Sequence, residues 1–345
     1  MCIRDSSFPA IPLISYARKI SELTFILAYP LYNEFFFIMT SLEEKKGFIW
    51  FDGKIVNSNE ANVHVLTHTL HYGLGVFEGV RAYETPEGTK IFRLNDHTER
   101  LFSSAHAVDL EIPYSIDEIN KAQVEIVKIN KLKEAYIRPM CFYGSGSLGL
   151  RAEDLKVHTI VAAWEWPSYM APEVFEKGIK VKISSYKRER GNLVSRSKVN
   201  GNYVKSMMAL KEALKEGYDE ALLLDTENYI SEGSGENLFA VKNDELFTPS
   251  LDASLDGITR KAIISLAEEL GMRVNVKDLS ESDITSSDEL FFTGTAAEVV
   301  PITQVNNLKI GSGRRGKVTE VLQKNYFNQV RGKRSSFPEW HTLVD

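Results

Sequence analysis

From Phe48 onward the chain alternates short strand signals with a few amphipathic helical stretches, which confines it to sheets with helices packed against them. Strand signals fall at 48–51, 54–56, 135–143, 158–164, 179–185, 221–225, 237–241, 245–248 and 289–293. Four helices punctuate them. Asp96 is the expected N-cap of one whose apolar face carries Leu101, Ala105 and Val108. Ser115-Ile116-Asp117-Glu118 is a capping box opening a second, to about Asn130. Tyr203, Met207, Leu210 and Leu214 recur at helical spacing over 202–217, and Gly257-Ile258-Thr259-Arg260 opens a helix that stops at Gly271. The length of 345 residues predicts two domains, a small one over 39–163 and a larger one over 177–345. The proline-punctuated stretch 164–176 links them. The fold class is α/β (α+β).

Residues 1–38 read differently. They are apolar and aromatic, with their longest charge-free run, 23–32, too short to span a bilayer. Met39 opens a conventional polar start, so 1–38 are expected to be a non-native extension. A net charge of -6 argues against a nucleic-acid or anionic-membrane binder. Two cysteines, Cys2 and Cys141, leave neither a disulfide scaffold nor a four-cysteine zinc site and fit a reducing, cytoplasmic setting. His64, His68 and His71 stand at i, i+4 and i+7, but without the glutamate of HExxH and with β-branched flanks unsuited to a helix that would align them. Structural histidines are the expectation, and no metal. Gly144–Gly149 and Gly311–Gly316 both match GxGxxG, yet neither has the chain for a βαβ unit around it; both read as turns rather than a dinucleotide site.

Chemistry concentrates elsewhere. Lys198 sits in a polar loop five residues ahead of Tyr203, which lies in the first turn of a helix. A lysine so held can reach a cleft and form a Schiff base with an aldehyde cofactor, provided its surroundings ease loss of the ammonium proton. Glu232 lies on a glycine-rich bend, Gly257-Ile258-Thr259 offers helix-terminal amides to a phosphate, Gly294-Thr295-Ala296 offers a second nest, and Arg100 a cation. Amine, carboxylate and phosphate cradle are what pyridoxal 5'-phosphate requires.

These segments, in this order, resemble the fold-type IV pyridoxal-phosphate enzymes and, within them, the branched-chain amino-acid aminotransferases. The resemblance covers about 48–345. It rests on His71-Tyr72-Gly73…Phe77-Glu78-Gly79-Val80-Arg81, Tyr136-Ile137-Arg138-Pro139, Lys198…Gly201-Asn202-Tyr203, Ile230-Ser231-Glu232-Gly233…Gly235-Glu236-Asn237-Leu238-Phe239, Gly257-Ile258-Thr259-Arg260 and Gly294-Thr295-Ala296-Ala297-Glu298. It implies a small N-terminal domain beside a larger one with a barrel-like mixed sheet. It also implies that Lys198 carries the cofactor and shuttles the substrate proton, Glu232 pairs with the pyridine nitrogen and Tyr203 with the ring oxygen. Arg100, Ile258, Thr259 and Thr295 would hold the phosphate, with Leu255 beside the ring. Tyr72, Phe77, Gly79, Tyr136 and Tyr169 would line the aliphatic pocket, Arg138 would meet the γ-carboxylate of glutamate, and the turn through Ala296 and Ala297 would receive the α-carboxylate. The implied activity is amino transfer between L-leucine, isoleucine or valine and 2-oxoglutarate, in a homodimer or larger homo-oligomer. A D-amino-acid aminotransferase or an aminodeoxychorismate lyase of the same fold type is the alternative.

Overall fold

The computed structural model describes residues 47–151, 153–166, 173–334 and 336–344. Met39 and the segment before it lie outside them, as do residues 167–172 of the proline-punctuated linker, Tyr169 among them.

Two sheets carry the chain. The first joins β1 (Phe48–Phe51), β2 (Lys54–Asn57), β3 (Gly75–Phe77), β4 (Val80–Thr85), β5 (Gly88–Phe92), β6 (Ala135–Tyr143) and β7 (Val157–Glu165), all antiparallel. The second is mixed. It contains β8 (Ile179–Arg188), β9 (Glu220–Asp225), β10 (Ile230–Gly233), β11 (Asn237–Lys242), β12 (Glu245–Thr248), β13 (Val274–Val276), β14 (Glu289–Gly294), β15 (Glu298–Val305) and β16 (Leu308–Lys309). Parallel pairs (β8 with β9 and β15, β12 with β13) interrupt its antiparallel ladders. The last strand, β17 (His341–Leu343), returns to pair with β5, so the chain end lies on the first sheet.

The helices are α1 (His68–Tyr72), α2 (Leu94–His106), α3 (Ile116–Ile129), α4 (Val174–Lys177), α5 (Tyr203–Lys215), α6 (Ile258–Glu269), α7 (Glu281–Thr285) and α8 (Lys317–Val330). Helix α3 starts at the expected capping box, with the Ser115 side chain accepting from the Glu118 amide. Helix α2 starts earlier than expected. Its N-cap is Arg93 in the left-handed region, and Asp96 lies in the first turn, where Arg93 Nε and Nη2 donate to its two oxygens at 2.9 and 2.7 Å. An ion pair within the turn replaces a side-chain cap.

Helix α5 corrects the sequence reading more sharply. Its buried residues are Ser206, Ala209 and Ala213, and the two alanines pack with Ala221 and Leu223 of β9. Small side chains let the helix lie close to the sheet, so the larger apolar stripe faces away and Met207 is 60% exposed. The histidines also differ from expectation, because His68 and His71 share the one-turn helix α1. All three make backbone bonds: His68 Nε2 to Gly149 O, His71 Nε2 to Val65 O, and His64 Nδ1 accepting from the Leu66 amide. Gly311 and Gly313 adopt positive φ in a turn ahead of α8.

One apolar cluster fills the space between the first sheet and α2 and α3. A second fills the interior of the mixed sheet. A third joins the sheets, packing Tyr83 and Phe92 against Phe239, Phe291, Tyr326 and Trp340. This shared core fixes the two sheets to each other along the cleft described next.

Candidate active site

A cleft of about 490 Å³ opens where the two sheets meet, walled on one side by Phe77, Tyr136 and Arg138 and on the other by Lys198, Ile258 and Thr295. Lys198 is pinned through its backbone: its amide donates to Ser104 Oγ at 3.1 Å, its carbonyl accepts from the Phe77 amide at 3.2 Å, and Val199 bridges Val76. The side chain then points along the cleft, with Nζ donating to the Tyr203 hydroxyl at 2.6 Å. Behind it a recess is lined by Lys198, Tyr203, Arg188 and Glu232. Glu232 is in strand β10 rather than on the expected bend. Its carboxylate meets Arg188 Nη2 at 2.7 Å and accepts from the Leu255 amide at 3.0 Å. Nothing in the sequence singles out Arg188. It is buried and also donates to Ser195 O and Ala253 O, tying the Lys198 loop to the Glu232 strand.

Arg100, Leu255, Ile258, Thr259, Thr295 and Ala296 all line the cleft, whereas Ala297 turns into the core at 2% exposure. Gly257 caps α6 with no side-chain bond, so the helix presents its first amides openly. A Cβ on Gly257 would fall 1.8 Å from Asn237 Oδ1, so no other residue fits without moving that side chain. Gly79 is equally constrained: a Cβ there would fall 1.9 Å from the Tyr136 hydroxyl. Arg138 stands among rings, its guanidinium carbon 4.8 Å from the centroid of Phe77, 5.5 Å from Tyr136 and 5.8 Å from Trp164. Trp164 and Trp166 line the cleft as well, though their sequence context reads as linker. Tyr72 does not. It lies outside its own chain's cleft at 45% exposure, on α1 against His68.

The family described as "Amino-transferase class IV" matches residues 75–305, a span that contains the Lys198 loop, Glu232, the α6 N-terminus and the 294–297 turn. The chain belongs to the class IV aminotransferases. Within that family it is similar to a protein of Pseudomonas aeruginosa named branched-chain-amino-acid aminotransferase, at 55% identity over 305 residues, 88% of this chain and 99% of the relative. The Escherichia coli K12 protein of the same name is 41% identical over the same shares. A solved structure of the T.th. branched-chain amino acid aminotransferase with pyridoxamine 5'-phosphate superposes with a TM-score of 0.85 at 42% identity, covering 87% of this chain and 99% of that one. These likenesses support the branched-chain group over the D-amino-acid and lyase alternatives, and a class IV aminotransferase fold over a nucleotide-binding one.

As a class IV aminotransferase the chain has a donor set that fits pyridoxal 5'-phosphate. Open amides at α6, beside the Arg100 guanidinium, suit a phosphate, and the recess with Glu232 suits a ring nitrogen. Three of the five Arg100 N–H groups are already used. Nε and Nη2 bind Glu78 at 2.7 and 2.9 Å, and Nη1 binds Asp256 O at 2.8 Å, which leaves two for an anion.

Glu78 is the residue the sequence concealed. It is fully buried and also takes His97 Nδ1 at 2.8 Å. A carboxylate only accepts, so Nδ1 carries the hydrogen. Burial alone would raise the Glu78 carboxyl; the charge of Arg100 and the bonds from His97 and Arg100 outweigh it and hold the group well below the usual carboxylate range. A depressed pKa contributes stability above the unfolded value of 4.5, and that contribution is lost as pH falls toward the folded value. Glu78→Gln, which leaves Arg100 without its buried partner, is expected to cost about 3–5 kcal/mol at neutral pH. The gap in melting temperature to the unaltered protein should begin to narrow as pH falls below the unfolded value of 4.5 and close only as pH falls through the folded value, well below the usual carboxylate range. Equal melting curves at pH 7 would remove Glu78 from the support of Arg100.

Proposed function

We propose that this chain moves the amino group between L-branched-chain amino acids and 2-oxoglutarate, with pyridoxal 5'-phosphate as cofactor. The observation that carries the reading is the joining, in one cleft, of a lysine–tyrosine pair, a carboxylate recess and a helix-terminal anion cradle to an aromatic pocket that holds one arginine. When bound, pyridoxal 5'-phosphate supplies an aldehyde that condenses with amines and a ring that withdraws electrons from the substrate α-carbon.

The chain's own residues do the remainder. Lys198 would hold the cofactor through Nζ and carry the proton at the substrate α-carbon. Tyr203, 2.6 Å from that nitrogen, orients it and bonds the ring oxygen. Glu232, backed by Arg188, holds a proton at the ring nitrogen. Arg100 and the Ile258, Thr259 and Thr295 groups bind phosphate; Leu255 packs beside the ring. The open side of the 294–297 turn takes the α-carboxylate through Ala296 and Ala297.

Phe77, Gly79 and Tyr136 accept the aliphatic side chain. Arg138 serves the other half-reaction: caged by rings, it presents a fixed charge to a γ-carboxylate without opening the pocket to water. The solved T.th. relative also occurs in complex with N-(5'-phosphopyridoxyl)-L-glutamate, which is in keeping with a pocket that serves both substrates.

The working unit is proposed to be a homodimer. Val65, Leu70, Tyr72, Leu150, Val204 and Met207 are exposed apolar residues on and around α1 and α5 that a second copy would cover. Tyr72 would then serve the partner's site, which accounts for its distance from its own. The proposed domains are 39–163 and 177–345. Cys141, buried and with its thiol pushed up to about 12 by burial, suits the proposed cytoplasmic setting.

The test is a half-reaction. The visible band of cofactor-loaded protein should bleach with L-leucine and with L-glutamate and persist with D-alanine. Bleaching with D-alanine alone would reverse the stereochemical assignment, and no visible band in folded, cofactor-supplemented protein would end the reading.

A further inference from the structure

The turn that follows β14 closes on a residue no substrate would touch. Glu298 faces Gly294 across the β14–β15 ladder, so residues 295–297 form the loop between them, and Thr295 and Ala296 from that loop line the cleft. Glu298 itself is 4% exposed and has φ 63, the left-handed region that a residue with a Cβ adopts at a cost. The surrounding structure holds it there. Tyr83 donates its hydroxyl to Glu298 Oε1 at 3.0 Å, and Arg81 Nη1 lies 3.5 Å from the same oxygen.

Arg81 and Tyr83 belong to β4 on the opposite sheet and are each about 1% exposed. The Arg81 guanidinium lies over the Tyr83 ring at 4.6 Å. Through Nη2 the same arginine donates to the carbonyl of Trp166 at 3.2 Å, and Trp166 lines the other side of the cleft. One buried cluster therefore grips both walls of the substrate end: the 295–297 turn through Glu298, and Trp166 through Arg81.

We propose that Glu298 is a positioning residue for substrate binding, and that the Arg81–Tyr83–Glu298 cluster sets affinity by fixing the cleft turn against the first sheet. The inference rests on the assignment of the α-carboxylate to that turn. An anion bound by backbone amides needs them aimed at one point, and a turn free to rock loses this aim before it loses its fold. The cluster acts through the turn and touches no reacting atom.

Two variants separate the side chain from the strained backbone. Glu298→Gly suits the left-handed φ and keeps the turn's path while deleting the contacts to Arg81 and Tyr83. Tyr83→Phe removes only one hydroxyl and leaves the residue count and core volume intact, so it remains informative if the glycine variant fails to fold.

Both should raise KM for L-leucine and for 2-oxoglutarate about tenfold, with kcat within about threefold and the visible cofactor band retained. A readout without turnover accompanies them. 4-Methylvaleric acid, a branched chain with a carboxylate and no amine, should bind about tenfold more weakly by spectral titration, a loss corresponding to about 1.4 kcal/mol. An unchanged KM and an unchanged dissociation constant for the acid, whatever the melting temperature, would overturn the proposal. So would loss of cofactor at unchanged substrate KM, which would assign the turn to phosphate alone. Failure of the underlying site reading would look different, because unaltered protein would then show no visible band or no bleaching with L-leucine.

Discussion

Lys198→Ala should lower transamination by about 10^4-fold or more and remove the visible band of the bound cofactor, while the folded protein survives. The loss is large because one nitrogen serves twice, as the covalent attachment and as the carrier of the α-carbon proton, and no neighbour can replace it. Tyr203, its hydrogen-bond partner at 2.6 Å, is a phenol held by the start of α5 and lacks an amine's reach. Survival of the fold follows from the way the loop is built. The backbone of Lys198 is bonded at both amide and carbonyl, to Ser104 and Phe77, and Val199 is buried in the first core cluster. None of these contacts uses the side chain. The melting temperature of the cofactor-free variant should therefore match that of the cofactor-free parent, and comparison in the cofactor-free state avoids mistaking lost ligand stabilisation for lost folding. Lys198→Arg should be equally inactive, since a guanidinium keeps its proton. A Lys198→Ala protein that keeps the visible band would move the attachment to another lysine.

The parts of this site that are legible in the sequence are those where local chemistry and local structure coincide. Gly257-Ile258-Thr259 reads as an anion cradle because a helix start and an uncapped glycine are visible in three residues, and α6 begins there. Tyr136 and Arg138 read as one face of a strand by their period of two, and β6 turns both into the cleft. What stays hidden depends on contacts distant in the chain. Glu78 looks like part of a glycine-rich strand; its role comes from Arg100 and His97, which only folding brings to it. Arg188 is one of four successive charges over 187–190 and Glu298 is a lone charge at a strand start, and nothing nearby in sequence says that one meets Glu232 and the other Tyr83. Helix α5 misleads for a different reason. Periodicity finds the larger apolar stripe, but the stripe that faces the sheet is made of Ser206, Ala209 and Ala213, because closeness rather than hydrophobicity decides that contact. The left-over stripe instead turns Tyr203, Met207 and Leu210 toward the cleft.

Glu232→Gln should lower the rate of the proton-transfer step by about 10²–10³-fold at saturating cofactor, with the visible band present but altered in position. The amide keeps the shape of the carboxyl and can still accept from the Leu255 amide, 3.0 Å away. It cannot hold a proton at a ring nitrogen, so the ring loses the charge that draws electrons from the substrate α-carbon. The second consequence falls on Arg188. That side chain is 9% exposed, as is Glu232, and its Nη2 gives up an ionic partner at 2.7 Å while retaining Ser195 O at the same distance. Leaving a buried guanidinium without its counter-charge costs on the order of 3 kcal/mol, so the variant should also melt earlier. The two effects part under a double substitution. Arg188→Met together with Glu232→Gln should recover much of the stability, because no buried charge is left unpaired, and recover none of the rate, because the carboxylate is still missing. Stability and rate recovering together would mean that Glu232 serves only to hold Arg188, and the carboxylate acting on the ring nitrogen would have to be sought elsewhere in the recess, with Glu236 the first candidate among its lining residues.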